Sequence, residues 1–104
     1  MIFRRRRYED VVRRQLDLFE REHGDLIREC ELAERAYDRA GRDEAEERYA
    51  AYLDLVETGT ELLADLRDGF AATLDGDAAD EYAVAFHRAV VRRLARFALE
   101  LGNT

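Results

Sequence analysis

The sequence has no proline, no tryptophan and no lysine, and one cysteine among its 104 residues. Without proline, no position has a fixed φ or a missing amide to interrupt a helix. The six glycines are the main remaining punctuation. A lone Cys30 excludes an internal disulfide and any multi-cysteine zinc site, and it fits a reducing, cytoplasmic setting. No apolar run approaches the roughly 18 residues of a membrane span, and no signal-peptide-like apolar stretch follows the basic residues 1–7. Alternating Val/Ile/Thr runs and Asn-Gly hairpins are missing, so strands are not expected. Gly-rich phosphate loops and nucleophile elbows are missing too, and no motif calls for a cofactor.

What is present is charge. All 17 basic residues are arginine, set against 24 acids for a net −7. Residues 1–14 are net +4, residues 15–42 net −3, residues 43–81 net −11 and residues 82–104 net +3.

The punctuation predicts three helices, over residues 8–40, 43–74 and 78–101. The first stops at Gly41, and the second opens at Asp43 with Glu46 three residues on, as in a capping box. The third has Asp80 and Glu81 near its positive N-terminal end. Each carries an apolar seam of 3.5–3.6 residue period. On helix 1 the seam is Val12, Leu16, Phe19, His23, Leu26, Cys30, Ala33, Tyr37 and Ala40. On helix 2 it runs through Tyr49, Tyr52, Val56, Gly59, Leu63, Leu66 and Phe70, and on helix 3 through Ala79, Ala83, Phe86, Val90, Leu94, Phe97 and Leu101. Short links make sequential helices antiparallel neighbours. The expected fold is therefore all-α: residues 8–104 form one antiparallel up-down-up three-helix bundle behind a basic head at residues 1–7.

A helix of 33 residues would be ~50 Å long, elongated for a chain of this size. Apolar residues also stand off the seams, at Val11, Leu18, Leu32, Val84 and Val91. Second apolar stripes on a thin bundle mark an interface, so a homodimer packed along the helices is expected.

Four polar features are candidates for chemistry. Asp54, Glu57, Glu61, Asp65 and Asp68 share one helix face, a spacing that suits either metal ligation or pairing with a neighbouring helix. Turning helices 2 and 3 about residues 76–77 sets Arg88 level with Asp65, Arg92 with Glu61 and Arg96 with Glu57. That register predicts an interhelical charge ridge. His23 sits on a seam, and the corresponding register puts it opposite Thr60 and puts Gly24 opposite Gly59. This predicts a close helix approach with a small polar pocket, in which Glu20 and His23 are candidate metal ligands at i, i+3. His87 is too far along the bundle axis to join them, ~9 Å by helical rise. Finally, Arg4, Arg5, Arg6 and Arg7 form the one plausible anion-binding element, suited to nucleic acid or an anionic membrane surface. The net −11 on the remaining chain works against either polyanion.

The expected function is a non-enzymatic, self-associating interaction or scaffold module in the cytoplasm. The alternatives are a small-ligand or metal-binding bundle with its pocket near His23, and weak anion binding through the arginine head.

Overall fold

A computed structural model of the protein describes residues 7–103. They form α1 (Glu9–Glu22), α2 (Gly24–Asp38), α3 (Ala45–Ala71), α4 (Gly76–Arg93), a 3₁₀ turn (Ala95–Phe97) and α5 (Ala98–Gly102), with no strand among the described residues. The all-helical expectation holds, but two of the three long helices are divided.

The first division falls at His23, whose φ/ψ of −119°/27° leaves helical space. Gly24 follows, and a glycine inside a helix costs about 1 kcal/mol relative to alanine. The bend costs little further hydrogen bonding, because the His23 amide still donates to the Phe19 carbonyl at 2.8 Å and Ile27 donates to the His23 carbonyl at 3.1 Å. The second division, at Leu94 (φ/ψ −137°/53°), is larger in effect. Helix 3 was expected to run on to residue 101. Instead the chain leaves α4 after Arg93, makes the 3₁₀ turn and packs α5 back on α3 and α4.

The reason lies in Gly59. A Cβ at that position would meet Phe97 Cζ at 2.8 Å, closer than real Cβ contacts fall, so the fully buried Phe97 ring rests on α3 backbone. Its other side meets Phe19 edge-on, with centroids 6.3 Å apart. The expected pairing of Gly24 with Gly59 is therefore overturned: Gly59 admits an aromatic ring, and a Cβ on Gly24 would meet only Arg28, at 3.7 Å.

Helix ends differ from the sequence reading as well. The Asp43/Glu46 capping box does not form; α3 starts at Ala45 with no side-chain cap, and the Glu44 and Ala45 amides both donate to the Gly41 carbonyl at 3.0 Å. At α4 the cap is Asp75, which accepts from the Ala78 amide at 3.2 Å, two residues before the expected start.

The core gathers Val12, Leu16 and Phe19 from α1, Val56 and Leu63 from α3, Tyr82, Phe86 and Val90 from α4, and Phe97 and Leu101 from the C-terminal reversal. In α2 only Cys30 is buried. α2 packs chiefly on the N-terminal half of α3, and the molecule is drawn out to 53 × 23 × 23 Å. Residues that read as seam at this end are consequently open: Tyr37 and Tyr49 stay exposed although their rings meet at 5.1 Å.

Two glycines on α3 separate these effects. Gly59→Ala is expected to lower unfolding free energy by about 1–3 kcal/mol through overpacking against Phe97. Gly69→Ala, with no atom within 4 Å of its would-be Cβ, should raise it by up to about 1 kcal/mol. Urea denaturation of the two variants measures both.

Candidate functional site

Polar chemistry concentrates where the two divisions meet. Arg93, the last residue of α4, donates from Nη2 to Asp17 Oδ1 and Glu20 Oε1, both at 2.8 Å, tying α4 to α1. Burial alone would lower its pKa, but the bonds to the two carboxylates outweigh that and hold it above its ordinary value. Three residues on, Arg96 donates to Glu34 Oε1 at 3.1 Å and lies over the Tyr52 ring, 5.9 Å from its centroid, tying the reversal to α2 and α3. Its Nη1 is buried with no hydrogen-bond partner among the described residues. Beside it opens a groove of about 470 Å³, lined by Ile27, Glu31, Glu34, Tyr52 and residues 93–97. Burial raises the pKa of the Cys30 thiol, which does not line this groove, against the opposing pull of Arg96, so the thiol stays protonated and poorly nucleophilic. Tyr52 is likewise raised, by burial first.

Glu20 and His23 are not brought together as ligands. Glu20 is held by Arg93, and the half-buried His23 ring packs on Phe19 with centroids 5.0 Å apart. The polar pocket expected opposite His23 does not form from the threonines. Thr60 Oγ1 donates to the Val56 carbonyl at 2.8 Å, and Thr58 Oγ1 to the Asp54 carbonyl at 3.1 Å, each within α3. Among the described residues no three His, Cys, Asp or Glu side chains gather to hold a metal.

In the expected charge ridge, Arg96 pairs with Glu34 and not Glu57, because the reversal at Leu94 carries it off the α4 axis. Glu57, Glu61 and Asp65 are exposed and make no ion pair within 4 Å among the described residues, and Arg88 and Arg92 are likewise unpaired. Of the apolar interface candidates, Leu18, Leu32, Val84 and Val91 are exposed, while Val11 packs against the edge of the core. Leu53, with 41% of its surface exposed, and Leu99 join the exposed set. The basic head is described only at Arg7, which sits 3.6 Å from Glu81 and over the Tyr8 ring. Arg4, Arg5 and Arg6 lie outside the described residues.

Sequence reading missed Tyr82, the largest fully buried side chain. Its hydroxyl donates to Gln15 Oε1 at 2.8 Å, and its ring lies 4.7 Å from Phe70 and 5.7 Å from Tyr8. The available signal was Gln15, a polar residue beside the helix 1 seam that can accept a phenol proton.

No helix among the described residues is long and apolar enough to cross a membrane. No family model, no curated protein and no solved structure matches the chain.

Tyr82 gives stability an alkaline dependence. Burial pushes its pKa from an ordinary 10.0 up to about 12. The folded state holds this proton more tightly than the unfolded chain, so the contribution is complete below pH 10 and is lost as pH rises to about 12. The urea midpoint should fall across that window, and Tyr82→Phe should flatten the fall while lowering the midpoint at neutral pH.

Proposed function

We propose that the protein is a non-enzymatic, self-associating interaction module, a homodimer that meets its second copy through helix faces. The observation that carries this reading is the uncovered end of the α2–α3 hairpin. Leu32 is 59% exposed, and Leu53 and Tyr49 stand open on the adjoining helix, where α4 has already turned away. Two helices cannot enclose an apolar seam from both sides, and a second helical pair supplies the missing cover. Val84 and Val91, seven residues apart on one face of α4, extend the exposed apolar surface along the body of the molecule.

The polar groups support recognition more than turnover. Arg93 and Arg96 are engaged by carboxylates of this chain, Cys30 is buried and protonated, and His23 is stacked on Phe19.

Sedimentation equilibrium tests the reading. A mass rising from 12.1 kDa toward twice that value with concentration is expected. Leu32→Ser and Leu53→Ser should each weaken association by about tenfold, the scale of losing one buried leucine contact, with unchanged helix content. A monomer mass at every concentration would contradict it.

A further inference from the structure

A cleft of about 400 Å³ opens where α5 ends, between Arg67 of α3, Val84, His87 and Arg88 of α4, and Leu101 and Gly102 of α5. The reversal at Leu94 creates it. Phe97 lies on Gly59, and the Leu101 carbonyl accepts from Arg67 Nη1 at 3.5 Å, so α5 runs alongside α3 and stops at Gly102. The His87 ring packs against Gly102, where a Cβ would meet its Cε1 at 3.3 Å.

The cleft has a charge sign of its own. In a chain of net charge −7, no carboxylate lines it, whereas Glu31 and Glu34 line the groove beside Arg96. Its basic groups come from two helices. Arg67 on α3 is tied by Asp68 at Nε, 2.8 Å away, which fixes its guanidinium at the edge of the cleft. On α4, Val84, His87 and Arg88 fall at i, i+3 and i+4 and so share one face. Arg88 is exposed and makes no ion pair within 4 Å among the described residues. Between these groups the floor is apolar, made by Ala83, Val84 and Leu101, and Val84 keeps 50% of its surface open.

We propose that this cleft binds a small monocarboxylate with an aliphatic body, its carboxylate between Arg88 and Arg67 and its chain along Ala83, Val84 and Leu101. A planar guanidinium presents paired donors to the two oxygens of a carboxylate, which favours this anion over a cation or a neutral head. An apolar floor with a few convergent polar groups is the usual make-up of a small-molecule site. The aliphatic chain covers Val84, which the fold leaves half open to water. The proposal goes beyond self-association and does not depend on it, since the cleft lies on the closed body, away from the α2–α3 end, and shares only Val84 with the faces invoked there.

The test is an amide NMR titration of the full chain with sodium octanoate. Saturable shifts are expected at residues 83–88, 101 and 102 and not in α2, in the millimolar range that suits a ligand of about ten heavy atoms. From butanoate to hexanoate, affinity should rise about fourfold per added methylene. Octylamine, the same chain with the opposite charge, should leave these amides unshifted. Arg88→Ala should weaken octanoate binding about tenfold, and Val84→Glu, which sets a carboxylate on the floor, should abolish it. Both positions are exposed, and circular dichroism should show wild-type helix content in each variant. Octanoate that binds Arg88→Ala as tightly as the wild type, octylamine that shifts the same amides, or no saturable shift at these residues would each overturn the proposal. Sedimentation of the same samples reads self-association separately. A monomer that binds octanoate keeps this proposal and removes self-association, and a dimer that does not bind it does the reverse.

Discussion

The structure depends on one contact, the Phe97 ring lying on the α3 backbone at Gly59. A side chain at residue 59 would hold the ring off, and α4 would lose its reason to stop at Arg93. With the ring seated, the chain reverses through the 3₁₀ turn and Leu101 joins the core. The body of the molecule is then closed by α1, α4, α5 and the C-terminal half of α3. The same reversal leaves the far end to α2 and the N-terminal half of α3. One close approach thus fixes both where the core is and where it is missing.

Electrostatics reinforces this division without providing most of its stability. Arg93 clamps α1 just before the bend at His23, and Arg96 clamps the C-terminal part of α2 at Glu34, so two arginines on either side of Leu94 hold two segments on either side of His23. These ion pairs are partly open to solvent, where such pairs contribute up to about 1 kcal/mol each. They tie α4 to α1 and the C-terminal turn to α2. The buried, unpartnered Nη1 of Arg96 carries a desolvation cost, which makes this junction less favourable than an apolar one of the same shape.

Helical class and most of the core were legible from spacing, because an apolar period of 3.5–3.6 residues has few other solutions. Val12, Leu16, Phe19, Val56, Leu63, Phe86, Val90, Phe97 and Leu101 were all read as seam and are buried. The breaks were not legible. His23 and Leu94 continue the seams in phase, and nothing at either position forbids a helix; tertiary packing of Phe97 accounts for the second. Once Leu94 is a turn, every register argument built on a straight helix 3 fails. That is why Arg96 meets Glu34 and not Glu57. Tyr82 was missed for a related reason: it stands one residue off the seam, and only Gln15 across the interface makes its hydroxyl tolerable in the core.

The reversal at Leu94 divides the molecule into a closed body and a less covered end, which on the proposed function a second copy covers. Hydrogen exchange resolved by residue tests this most directly. At low concentration, amides of α2 and of residues 45–55 should exchange much faster than those of residues 60–70 in the same helix, since local opening follows the apolar cover each segment has. Raising the concentration should slow exchange in the first set and leave the second unchanged. Uniform protection along α3 at every concentration would contradict the account.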